Sequence, residues 1–176
     1  MILFALLLVI APPASAQTIP LRPTIQAERI ELKTTILQAR QEFKTRVSQL
    51  RDARKKALVE RINTRRCEVI QNRTAAMTRH LQTMTDILAR VEQKAKEVDT
   101  SSAKTAIASA RSAVDTLAAT DCLLNITGRE NQLRSEVAQS LQDLRAQFKS
   151  VHDQVQAARL ATAQAVQSLA KTLPPE

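Results

Sequence analysis

From Cys67 to Val98 the chain sets down a seam residue every three or four positions without a gap: Cys67, Ile70, Thr74, Met77, Leu81, Met84, Leu88, Val91, Ala95 and Val98. Steps of three and four keep side chains on one side of an α-helix. Such a stripe is buried by packing against other helices, as in bundles and coiled coils. The same spacing returns in Ala103, Ile107, Ala110, Val114 and Leu117. A third run carries it from Leu133 through Val137, Leu141, Leu144, Phe148, Val151 and Val155, and on through Ala158, Thr162, Ala165 and Leu169. Nowhere do apolar and polar residues alternate with a period of two, so no strand is expected.

Composition agrees with a seam rather than a compact core. The 176 residues include one Gly, three Phe, and no Trp or Tyr. Aromatic side chains usually supply the large buried areas of globular interiors; here burial must come from many small aliphatic contacts. The expected fold is all-α, an elongated three-helix, partly coiled-coil bundle. Because neither Gly nor Pro interrupts residues 24–98, the first helix is expected to be very long (about 24–98), with a kink near 60–67. Asp99, Thr100 and Ser101 are capping residues and precede a short helix over about 102–120. Thr127-Gly128-Arg129-Glu130 fits the S/T-x-x-E capping box, which predicts a last helix over about 128–172, stopped by Pro174 and Pro175.

Ahead of the helices, Ile2 to Ile10 form an apolar run followed by Pro12, Pro13 and Ala14-Ser15-Ala16. This is the pattern of a secretory signal peptide over 1–16, with an extended leader over 17–23 held open by Pro20 and Pro23. The apolar run is too short to span a bilayer. Export to the periplasm, cell surface or medium is expected, with no membrane span after cleavage.

In an exported chain two cysteines read as one disulfide, Cys67 with Cys122. Two continuous helices folded back near residue 100 would leave them about 15 Å apart along the axis, whereas bonded Cα atoms lie within about 7 Å. Either the second helix ends before Cys122 and the chain extends, or the turn is offset, or the pairing joins two molecules.

Residues for catalysis are missing from the pattern. His80 and His152 each stand without a second ligand at metal-binding spacing. Gly128, the single glycine, cannot make a glycine-rich phosphate loop, and no Ser sits in a G-x-S-x-G elbow. An enzyme is not expected, nor a cofactor or metal.

Charge is the remaining signal. Residues 17–66 hold 13 Lys or Arg against five Asp or Glu, whereas residues 67–176 hold 13 against 12. On a continuous helix Arg51, Arg54, Lys55, Arg61, Arg65 and Arg66 fall within about 140° of arc. Leu58 and Ile62 share that arc, so the basic residues flank an apolar stripe as e and g positions do in coiled coils. The readings are a solvated flank, or a contact for an acidic envelope polymer, anionic headgroups or an acidic protein. Nucleic acid is not an expected partner, since export removes the chain from it and no aromatics are interleaved for stacking.

In its order of parts the chain resembles uncharacterised exported coiled-coil-rich helical proteins of candidate-phyla (ultrasmall) bacteria. The likeness lies in Arg65-Arg66-Cys67-Glu68-Val69-Ile70, in Asp99-Thr100-Ser101-Ser102, and in a second cysteine, Cys122, ahead of a final long helix. It implies a paired Cys67 and Cys122 and no activity. In composition alone the chain is similar to Skp-type periplasmic chaperones, which implies a holdase, although their trimerising β body has no counterpart in these residues. The functional expectation is a non-enzymatic exported protein with a structural or interaction role at the cell envelope, self-associating through its helix seams. The alternative is a periplasmic holdase-type chaperone or a binder of anionic envelope polymers through the basic segment 40–66.

Overall fold

A computed structural model describes residues 21–172. The signal peptide over 1–16, the leader as far as residue 20, and the stop at Pro174 and Pro175 lie outside the described residues. Among the described residues four helices follow one another: α1 (Leu21–Ser48), α2 (Ala53–Lys94), α3 (Ser101–Ala119) and α4 (Leu133–Thr172). There is no strand among the described residues.

The chain divides into two units, residues 1–38 and 39–176. Of the first, the structure describes the leading part of α1. Leu21, Arg22 and Pro23 belong to this helix, so the expected extended leader does not reach residue 23; proline is tolerated in a first helical turn, where its missing N–H has no partner to lose. Ile30, Leu32, Ile36 and Leu37 are exposed on it.

The second unit begins with the end of α1 and departs from expectation at once. The single long N-terminal helix is two helices, and the described residues hold four helices rather than three. The break falls at residues 49–52, not at 60–67, which run as regular helix within α2. It needs no Gly or Pro because the freed backbone groups find partners. Asp52, with extended backbone, is the N-cap of α2: its Oδ1 accepts from the N–H groups of Arg54 (2.8 Å) and Lys55 (3.3 Å). Burial drives the break. Leu50 is 1 % exposed and packs in a small core with Phe43, Val47, Val59, Leu124, Ile126 and Leu133. A straight helix would carry Phe43 and Val47 away from Val59.

The larger core lies among α2, α3 and α4, each of which contacts the other two. It is built from the seams read in the sequence: Ile70, Leu81, Met84 and Leu88 of α2, the five-residue stripe of α3, and Leu144, Val151, Val155, Ala158 and Ala165 of α4. Thr74 and Thr162 stand in those seams although polar. Each hydroxyl donates to the carbonyl one turn back, Ile70 and Ala158 respectively, at 2.8 Å, which satisfies it without a partner helix.

Between α3 and α4, residues 120–132 run as a strap of irregular backbone. The strap resolves the cysteine geometry. Two changes close the gap. α2 ends at Lys94, which leaves about 40 Å of helix between Cys67 and the turn. α3 adds about 27 Å from Ser101 to Ala119 before Thr120 to Cys122 extend by about 10 Å more. Cys67 and Cys122 lie at disulfide distance within one chain, S–S 1.96 Å and Cα–Cα 4.9 Å.

The capping box at Thr127 does not form as read. α4 starts at Leu133, and Thr127 is answered instead by Glu136, whose carboxylate accepts from the Thr127 N–H (3.0 Å) and hydroxyl (2.6 Å). Glu130 turns to α2: its Oε1 accepts from the N–H groups of Arg51 (2.7 Å) and Asp52 (2.9 Å).

Candidate functional site: an arginine-lined groove

Three residues on one face of α2 fix the strap. Asn63 Oδ1 accepts from the Leu124 N–H at 2.9 Å, Arg66 Nη1 donates to the Leu123 carbonyl, and Cys67 meets Cys122. Positions 63, 66 and 67 are neighbours on a helix surface, so the strap is pinned at three consecutive residues. Pinning orders Arg66. Its guanidinium is half-buried, and its Nε is buried with no hydrogen-bond partner. Burial lowers its pKa, while Asp121 and Asp143 act in the opposite direction; arginine nevertheless keeps its charge.

Arg66 opens onto a groove of about 710 Å³ between α2 and α4. Its apolar lining comes from Ile62 and Val69 on α2 and from Leu141, Leu144 and Phe148 on α4. The rest of the lining is arginine: Arg61, Arg65, Arg66 and Arg73 from α2, and Arg145 from α4. No carboxylate lines it. Arg65 pairs with Glu68 at 3.2 Å, whereas among the described residues Arg61, Arg73 and Arg145 have no ion-pair partner. Two other concavities of the second unit carry both signs. One between α2 and α3 holds the Glu92–Lys104 pair, and one beside α2 holds Lys55 with Glu130.

The six basic residues singled out in the sequence therefore do not form one face. Arg61, Arg65 and Arg66 enter the groove. Arg51 precedes α2 and lies off the helix on which the arc was drawn; Arg54 and Lys55 belong to the first turn of α2, where Lys55 Nζ meets Glu130 Oε2 at 3.3 Å. Arg73 and Arg145 were not read as members. Arg73 was legible, being seven residues beyond Arg66 and thus on the same stripe. Arg145 was not, since its place depends on how α4 packs against α2.

A second groove of about 880 Å³ continues along α2 and α4 and shares Arg73 with the first. It brings His80 and His152, isolated in sequence, to one depression with Arg159. Among the described residues no three His, Cys, Asp or Glu cluster to hold a metal ion, and no helix is long and apolar enough to cross a membrane. No family model, no curated protein and no solved structure matches this chain.

Proposed function

We propose that this chain is a non-enzymatic exported protein that works by interaction at the cell envelope, and that the arginine-lined groove between α2 and α4 is where it holds an anionic partner. The observation that carries this reading is the groove's lining: five guanidinium groups over an apolar floor and no carboxylate among the lining residues, with Arg61, Arg73 and Arg145 in no ion pair among the described residues. Guanidinium is weakly hydrated and pairs bidentately with carboxylate and phosphate. A Cys pair at disulfide distance and a signal-like N-terminus support an oxidising compartment. Titration with inorganic polyphosphate at low and high salt tests the proposal. Binding at low salt that weakens steeply as salt rises is expected; a chain that binds neither polyphosphate nor a smaller organic anion at low salt overturns it.

A second reading is a holdase-type chaperone. It is supported by the large apolar side chains Ile30, Leu32, Ile36 and Leu37 exposed on α1. It predicts that the protein suppresses aggregation of an unfolded membrane protein at low salt; a chain inert in that assay is not a holdase.

A further inference from the structure

We infer that the occupant of the groove is a free, single-chain anionic amphiphile, its alkyl chain lying on the apolar floor and its head group held by the arginine rim. This rests on the groove being the binding site and deepens that reading by naming the ligand class.

Three observations select this occupant over other anions. The floor is apolar. Ile62, Val69, Leu141 and Phe148 are only partly buried, and a charged polymer brings nothing to cover them, whereas an alkyl chain removes them from water. The size fits a small molecule. At about 710 Å³ the groove falls within the roughly 300–1,000 Å³ of small-ligand sites. Its ten lining residues are far fewer than the roughly 20–30 a side of a stable protein interface. The cations lie along its length: from Arg61 to Arg73 is about 18 Å at 1.5 Å per residue. Arg145 adds a cation from α4. A head group therefore meets guanidinium wherever it lies along the groove.

The test uses the full oxidised chain and sodium decanoate, dodecanoate and tetradecanoate below their micelle concentrations, read by titration calorimetry. Controls are butyrate, the matched alcohols, inorganic polyphosphate, and vesicles containing anionic lipid. Full burial of a methylene is worth about fourfold in affinity, and an open groove buries roughly half of each, so about twofold per methylene is expected. R61Q/R145Q is expected to weaken tetradecanoate by at least tenfold, and the alcohols to bind more weakly than the acids. A far-ultraviolet spectrum and melting curve like the parent's confirm that the variant is folded. Because the chain-length series needs no variant, a misfolded one leaves the test intact. Polyphosphate binding with no dependence on chain length overturns the amphiphile and leaves the anion groove standing. Failure of both polyphosphate and the acids overturns the two together. Binding confined to vesicles overturns the single free chain in favour of a lipid surface.

Discussion

Glu130 and Lys55, 75 residues apart in sequence, meet at 3.3 Å (Oε2 to Nζ) where the strap crosses the start of α2. The other carboxylate oxygen of Glu130 accepts the N–H groups of Arg51 and Asp52. One side chain therefore closes backbone donors at the break between α1 and α2 and pairs with a cation in the first turn. Both features hold the small core around Leu50 in register.

Replacing Glu130 by Ala is expected to lower the melting temperature measurably, because two backbone donors lose their acceptor at once. Lys55→Gln removes only a partly exposed ion pair and is expected to cost less. Melting curves for the two variants check the order; a larger loss for Lys55→Gln would contradict it.

Acid should weaken the fold through three carboxylates. Glu130 is held below the usual 4.5 by the N–H groups of Asp52 and Arg51 and then by Lys55, Glu92 by hydrogen bonds from Lys104 and Thr100, and Asp99 below 3.8 by Ser101. A carboxylate with a lowered folded pKa binds protons more readily when unfolded, so its contribution is fully present above the unfolded value and is lost as pH falls through the folded one. Stability is expected to be level above about pH 4.5 for these groups and to fall below it. Denaturant midpoints from pH 6 to 2 measure this, and Glu92→Gln should flatten the acid slope.

Cys67 and Cys122 are separated by 55 residues. On the loop-entropy argument a closure of that size stabilises by about 4 kcal/mol. The double substitution C67A/C122A, or reduction of the parent, is expected to lower stability by that order. It should also loosen the strap beside Arg66, seen as faster amide exchange at Leu123 and Leu124. A single-chain mass under non-reducing conditions with no free thiol checks the pairing directly.

Among the described residues Gly128 alone has a positive φ, and both its backbone and its surroundings disfavour a side chain. Its φ is +83°, and an added Cβ would stand 2.8 Å from the Arg46 carbonyl oxygen and 2.5 Å from Gln49 Oε1. Gly128→Ala is expected to cost at least about 1–2 kcal/mol from the left-handed conformation alone. An unchanged melting temperature would contradict the strap's packing against the end of α1.

The seams were legible residue by residue. Leu81, Leu88 and Val91, then Ile107 and Val114, then Val151 and Val155 were read from spacing and are buried. Helical period is a local property, so the sequence displays it. What could not be read depends on contacts across the chain. The break at Leu50 is made by residues 123–133 folding over it, and nothing at Gln49 to Asp52 other than the capping Asp52 announces an end. Glu130 was read as a cap and is one, but for a helix some 75 residues earlier, because a capping box specifies chemistry and not the partner. The basic segment was visible as composition. Its division into a capped end at Arg51–Lys55 and a groove from Arg61 onward follows from that break, and Arg145 joins only through packing of α4.

The groove's arginines, rather than the net charge of the basic segment, are held to bind the anionic partner. The most direct test compares two sets of substitutions under one polyphosphate titration: R61Q/R65Q/R145Q in the groove, and R51Q/R54Q/K55Q at the start of α2. Each removes three positive charges. The groove set is predicted to lose at least tenfold in affinity and most of its salt dependence, with the other set close to the parent. Equal losses from both, or an unaltered affinity in the groove set, would contradict it.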